Sequence, residues 1–442
     1  MRFQSTAAAA ALLVLPVALA AADTTPAAPA PTLLHCGHLI DPAAGRTLGA
    51  STVVIEQGRV IAVEPGAIMR DGARVIDLGR STCLPGLIDT HVHLTMQFGP
   101  TTYSDRFRLN PADYAIRGTL YARRTLLAGF TTVRNLGDIA NESIALRNAI
   151  NSGLIEGPRI YTAGEPIGST GGHADPTDGY RMDLAGDPGP LHGIINSPAD
   201  AWKAVRAHYK LGVDVIKIMP SGGVLDESAS GDNPQMTLDE ITAVVAAAHD
   251  YGYTVAAHAH GAEAIRRAVL GGVDSIEHGT SMDAADMALM KQHGTWYVPT
   301  ITAGEFVAAK AQVPGYYPPQ VAAKAAAIGP KIMATAGKAY RAGVRIAFGT
   351  DAGVYPHGDN AKEFAYLVEA GMPAMAAIRA ATVNAARLLR HEREIGRVAP
   401  GYRADIVAVE GDPLADVTLL QHIGFVMKDG AVVRQSGRAV IE

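Results

Sequence analysis

The sequence predicts an α/β protein: a closed (β/α)8 barrel of the TIM type carrying a small β-sandwich built from both ends of the chain. Three observations lead there. Short apolar runs alternate with helical stretches through the middle of the 442 residues, both ends are β-rich and punctuated by Gly and Asp, and His, Lys and Asp recur where the apolar runs stop.

Eight apolar runs read as barrel strands: Gly86–His91, Thr131–Asn135, Arg159–Ala163, Val213–Ile218, Thr254–His258, Ser275–His278, Thr295–Pro299 and Arg345–Thr350. Eight in this rhythm favours closure over an open sheet. The stretches Ser197–Leu211, Leu238–Tyr251, Ala262–Leu270 and Ala322–Ala342 are Ala-rich, as close helix packing requires, and Gly212, Gly252 and Gly343 stand where three of them should end. Runs such as Thr52–Glu56 near the start and Asp405–Val409 near the end share a β texture. Residues 33–84 and 391–442 are therefore expected to make the sandwich, and 85–390 the barrel.

A hydrophobic content of 48% and a mean hydropathy of +0.10 support a large core. The net charge of −5, without a run of Lys and Arg, excludes a phosphate-tracking surface, so nucleic acid is not an expected partner. Arg2 precedes an apolar run from Ala7 to Ala20 that ends in small residues, the pattern of a signal peptide over 1–22 cleaved near Ala20 to Ala22. That run is shorter than the ~20 residues that span a bilayer, so a secreted or periplasmic protein without a stable membrane anchor is expected. Residues 23–32 read as a flexible tail. Cys36 and Cys83 allow either a disulfide or two separate buried thiols.

Active sites of such barrels lie at the C-terminal ends of the strands. The first strand ends in His91-Val92-His93, whose alternate side chains point the same way and converge on one spot. The fourth carries Lys217 among β-branched residues, where a bare ammonium is costly to bury. The fifth ends in His258-Ala259-His260, the sixth in Glu277-His278-Gly279, and the eighth in Gly349-Thr350-Asp351. A single buried His is usually a hydrogen-bonded structural residue, and an Asp after Thr often caps a helix. So many ligand types at so many strand ends cannot all be satisfied without an ion.

With Leu84-Pro85-Gly86-Leu87-Ile88-Asp89-Thr90-His91-Val92-His93, Lys217, His258, His278 and Gly349-Thr350-Asp351 in this order, the sequence resembles the amidohydrolase superfamily, in the branch of prolidase-like, imidazolonepropionase-like and ochratoxin-degrading enzymes. The resemblance covers nearly the whole mature chain. It implies two divalent metal ions, one held by His91, His93 and Asp351, the other by His258 and His278, with an N6-carboxylated Lys217 and a water-derived hydroxide between them. It also implies Asp351 as general base and allows a homo-oligomer. Zinc suits imidazole and carboxylate ligands, and manganese, cobalt or iron fit the same set.

His260 shares a strand face with His258 and is a substrate-binding candidate. His173, in the Gly- and Pro-rich loop after strand three, is a second. Arg134, ending strand two, suits either a substrate carboxylate or an internal salt bridge. Tyr316 and Tyr317 in a Pro-stiffened loop suggest an apolar wall over the metals. The resulting expectation is hydrolysis of a peptide or amide bond that releases a C-terminal amino acid from a small peptide or N-acyl amino acid, ochratoxin A among them. A lactone, carbamate or phosphotriester hydrolase, or an inactive periplasmic binding protein, are the alternatives.

Overall fold

The computed structural model describes residues 30–440 apart from 227 and 229, together with residues 7, 8 and 10. The expected signal peptide lies almost entirely outside the described residues, and no described helix is long and apolar enough to cross a membrane.

The described residues from 30 onward open with five strands, β1 (Thr32–Asp41), β2 (Arg46–Leu48), β3 (Ser51–Glu56), β4 (Arg59–Pro65) and β5 (Arg74–Pro85). Seven short parallel strands follow: β6 (Leu87–Val92), β7 (Phe130–Asn135), β8 (Arg159–Thr162), β9 (Ile216–Ile218), β10 (Val255–Ala259), β11 (Ser275–His278) and β12 (Trp296–Val298). The chain returns through β13 (Ile406–Glu410), β14 (Phe425–Lys428), β15 (Ala431–Gln435) and β16 (Arg438–Ala439).

The parallel strands form two arcs, β6-β7-β8 and β12-β11-β10-β9, with helices between successive strands. Isolated parallel bridges link the ends of these arcs: Ile167 to Ile218, Tyr297 to Ile346, and Val92 to Ala352. The eighth expected strand, Arg345–Thr350, does not form. The segment still exchanges backbone bonds with Tyr297 on one side and with Thr90 and His91 on the other, but the ladder is irregular, and the Phe348 amide donates to Ala380 O at 3.1 Å instead of to an adjacent strand. Every position of β6, β7, β10 and β11 is buried, as a sheet covered on both faces requires.

The helices mostly follow the sequence pattern. Pro198–Leu211 starts at the Ser197 cap, Leu238–Asp250 has a Thr237/Glu240 capping box, and Ala262–Leu270 is as expected. The expected single helix over Ala322–Ala342 is two, Pro319–Ala326 and Gly329–Ala342. Pro330 has no amide hydrogen to continue the ladder onto Ala326 O, so the first helix ends there and Pro330 stands in the first turn of the next.

Both chain ends join one nine-stranded sheet, in the order β16-β15-β14-β13-β5-β1-β3-β4 with β2 on β1. Its two halves meet where β13 runs antiparallel to β5, and they share a core that includes Leu34, Val53, Ile406 and Phe425. Val60 also exchanges backbone bonds with Gly401 and Tyr402, just before β13. Within this core Cys36 and Cys83 form a disulfide between β1 and β5, closing the alternative of two free thiols. The crosslink joins residues 47 apart, and removing it frees unfolded-chain entropy worth about 4 kcal/mol. A Cys36→Ser/Cys83→Ser variant should therefore unfold at a clearly lower temperature than the oxidised protein by calorimetry, and coincident transitions would show that the crosslink does not hold the domain.

Candidate metal centre

The ends of the parallel strands open on a cavity of about 460 Å3. His91, His93, Lys217, His258, His278 and Asp351, the six expected ligands, all contribute to its wall. Ligand atoms of His91, His278 and Asp351 lie within 4.8 Å of one another. Asp351 Oδ1 is 3.5 Å from His91 Nε2 and 3.1 Å from His93 Nε2.

Each imidazole is oriented by its far nitrogen. His91 Nδ1 meets Glu277 Oε2 at 2.9 Å, His93 Nδ1 meets Gly137 O at 3.0 Å, and His278 Nδ1 meets Thr300 Oγ1 at 2.7 Å. Those three therefore present Nε2. His258 is reversed: its Nε2 donates to Gly222 O at 3.0 Å, which leaves Nδ1 free. Burial, reinforced by neighbouring cations, pushes His91 down to about 4 and His258 and His278 well below the usual histidine range, so all three are neutral near pH 7, the form that ligates a metal.

Lys217 is buried at 1% exposure and makes no hydrogen bond or ion pair among the described residues. Desolvation lowers it to about 8, against the pull of Glu277 and Asp351. Burial by itself would raise Asp351, but His91 and His93 beside it keep its carboxyl below the usual range. Two buried atoms in this cluster, His91 Nε2 and Asp351 Oδ1, have no hydrogen-bond partner among the described residues. Orphaned lone pairs of an imidazole and a carboxylate facing each other are costly in a dry interior, and a divalent cation would satisfy both. The residues present thus fit the metal that the sequence calls for.

The backbone is bent to bring them together. His278, Thr300 and Asp351 adopt positive φ values of 69°, 56° and 60° at the ends of their strands or segments, which costs of order 1–3 kcal/mol each and is common where side chains must be aimed. Gly349 is needed for a different reason: a Cβ there would sit 2.3 Å from Val298 Cγ1 and 3.0 Å from His91 Cβ.

His260 and His173, the two substrate-binding candidates, both reach the cavity wall. His260 Nδ1 pairs with Thr280 Oγ1 at 2.8 Å, and the His173 ring packs 4.5 Å from that of His258. Arg134 does not reach the cavity. It is fully buried beneath it, held by Glu277 Oε1 at 2.8 Å, Thr90 O at 2.6 Å and Ser275 Oγ at 3.2 Å, so the internal salt bridge is the correct alternative and the substrate carboxylate is not. Tyr316 and Tyr317 are likewise corrected: they pack edge to face on each other without lining the cavity, and Val307, Ile328 and Ile332 of the neighbouring helical segments form the apolar wall.

Two supporting carboxylates had no assigned role in the sequence. Glu277 lies between Arg134 and His91, and although burial opposes ionisation, the guanidinium and the imidazole hold it down to about 2. Asp89 accepts from Thr350 Oγ1 at 2.6 Å, Asn360 Nδ2 at 2.8 Å and the His91 amide at 3.1 Å, tying the first strand to the Asp351 turn. Its spacing of two from His91 placed it on the same strand face and was the available signal. Asp138 and Glu165, which also line the cavity, carried none.

Replacing Glu277 with Gln leaves Arg134 as a buried cation without its counter-ion, a change that costs about 3–5 kcal/mol, and loosens His91, which lowers metal affinity by about 10–100-fold. Calorimetry and elemental analysis of Glu277→Gln should show both losses. Wild-type stability and metal content would mean that Glu277 supports neither.

The chain matches the amidohydrolase family over residues 82–433. It is 31% identical to the ochratoxinase of Aspergillus niger over 380 residues, 80% of this chain and 76% of that one. A crystal structure of a Xaa-Pro dipeptidase with bound methionine in the active site superposes with a TM-score of 0.90 at 48% identity, covering 92% of this chain and all (100%) of the other. A prolidase complexed with N-methylphosphonate-L-proline superposes at 0.84 with 31% identity, again over 92% and 100% of the two chains. With these likenesses beside a histidine, lysine and aspartate cluster at the strand ends, the chain belongs to the amidohydrolase family and is a hydrolase acting on amide bonds.

Proposed function

We propose that this protein is an exported, binuclear metal-dependent amidohydrolase that cleaves a peptide or amide bond and releases a C-terminal amino acid. The observation that carries the reading is the pair of orphaned buried atoms, His91 Nε2 and Asp351 Oδ1, in a cavity that Lys217 also lines. The scaffold on this reading is a closed (β/α)8 barrel over 85–390, supported by the three bridges that link the arcs, with a sandwich of 33–84 and 391–442 folded from the nine-stranded sheet.

His91, His93 and Asp351 would hold one divalent ion and His258 and His278 the other, and Lys217, as its N6-carbamate, would supply further anionic oxygens. A neutral amine is needed for carboxylation, and burial of Lys217 favours that form. Zinc suits this donor set. When bound, such a pair of ions acidifies a water molecule and polarises the scissile carbonyl. Asp351 accepts the proton of the attacking water at its carboxylate and delivers it to the departing amine nitrogen. His260 and His173 hold the substrate from the cavity wall, and Val307, Ile328 and Ile332 exclude water around its apolar part.

The substrates are small peptides or N-acyl amino acids. Ochratoxin A, an amide between an aromatic acyl group and Phe, falls within that range, and the 31% identity to an ochratoxinase supports its inclusion. Mass spectrometry of metal-loaded protein with dipeptides, N-acyl amino acids, ochratoxin A, lactones and phosphotriesters should show amino-acid release. Asp351→Asn should retain the fold and lose turnover by a factor on the order of 1,000 or more, and unchanged turnover would remove Asp351 from the mechanism. Chelation should abolish the wild-type activity and added zinc restore it. Turnover confined to lactones or phosphotriesters would shift the reading to that class.

A further inference from the structure

The loop after β9 is pinned to the site by a residue far from it in sequence. Lys324, in the helix Pro319–Ala326, directs its ammonium at Gly223 O (3.0 Å), Asp226 O (2.9 Å), Asp226 Oδ1 (2.7 Å) and Ser228 O (2.8 Å). Three N–H donors thus serve four oxygens of one loop. The Lys324 and Asp226 side chains are only 14% and 10% exposed, so this is a largely desolvated ion pair, unlike most surface pairs.

Asp226 turns its second oxygen towards His173. Its Oδ2 accepts from the Gly223 amide at 2.8 Å and from His173 Nδ1 at 2.7 Å. Burial opposes ionisation of Asp226, but the bonds from His173, Lys324 and Ser228 hold its carboxyl far below the usual range. An ionised carboxylate only accepts, so the proton of this contact sits on His173 Nδ1, and Nε2 is the nitrogen left for the cavity. The loop closes tightly over the ring: a Cβ at residue 223 would lie 2.1 Å from His173 Cε1, which is why glycine stands there. Val224 and Leu225 from the same loop line the cavity beside it.

We propose that Lys324 is a positioning residue that acts through Asp226 to fix the tautomer and ring orientation of His173, so that Nε2 is presented to the substrate. The strut joins the loops after the third and fourth parallel strands to a helix that follows the seventh. A substrate bound against His173 is therefore held by three separate connections whose relative placement depends on one ammonium. The inference rests on the reading above that His173 contacts substrate.

The test is a double-mutant cycle on the metal-loaded full chain, run with an imidazole proton NMR measurement. Lys324→Met should lower kcat/KM by about 10–100-fold with metal content unchanged, as loss of an outer partner does, and Lys324→Arg should recover part of it. In a His173→Ala background the same Lys324→Met change should cost less than about twofold further, because its effect passes through the missing ring. By NMR, a downfield Nδ1 proton absent from His173→Ala should be present in wild type and lost or moved upfield in Lys324→Met and Asp226→Asn. Equal losses in both backgrounds, or an unmoved resonance, would overturn the proposal and leave Lys324 as a loop staple. Should Lys324→Met not fold, Lys324→Gln carries the same two measurements. The resonance decides this point even if wild type hydrolyses none of the amides, an outcome that would count against the proposed function instead.

Discussion

Glu277 is the point on which the centre balances. Its two oxygens are divided between Arg134 beneath the strand ends and His91 above them, and all three side chains are essentially inaccessible to water. A guanidinium and a carboxylate in that environment are each expensive alone, and together they are tolerated only while every donor is met. Each of the three Arg134 nitrogens has a partner, the Thr90 carbonyl and the Ser275 hydroxyl in addition to Glu277. The consequence reaches the chemistry directly, because the same carboxylate fixes which nitrogen His91 shows to the cavity.

Around that ion pair the protein assembles groups that would repel water-stripped company. His91, His93, His173, His258, His260 and His278 share the wall with Lys217 and Asp351, and desolvation drives His91, His258, His260 and His278 to the neutral state. Neutral rings with one nitrogen already bonded to Glu277, Gly222, Thr280 or Thr300 can turn only the other nitrogen inward. Asp89 adds a second tether, joining the first strand to the Thr350 hydroxyl and to Asn360, so the His91 and Asp351 segments cannot drift apart without breaking buried hydrogen bonds. The outer loops repeat this logic at lower burial, with Lys324 and Asp226 standing to His173 much as Arg134 and Glu277 stand to His91.

The alternation of strand and helix and the ligand motifs were legible because they are local. A period of two places His91 and His93 on one face whatever the rest of the chain does, and Ser275–His278 was read with its observed limits. The irregularity of the eighth segment was not legible, since the Phe348 amide turns to the Ala380 carbonyl, a partner distant along the chain. The break between Ala326 and Gly329 was signalled by Pro330, a signal that the surrounding run of alanines obscured. Tyr316 and Tyr317 suggested a wall by composition, but neither lines the cavity.

By itself the sequence determined the order of the elements, the residue types at the strand ends, and hence the class of chemistry, because those follow from side-chain periodicity and ligand preference along a single segment. Only the tertiary structure decided the partnerships: that Arg134 serves Glu277 and not a substrate, that Cys36 reaches Cys83, that His258 offers Nδ1 where its neighbours offer Nε2, and that Lys324 holds Asp226. Each of these joins residues distant along the chain. Burial makes an unmet charge or hydrogen-bonding group costly, and which distant group meets it is settled only when the chain has folded around both.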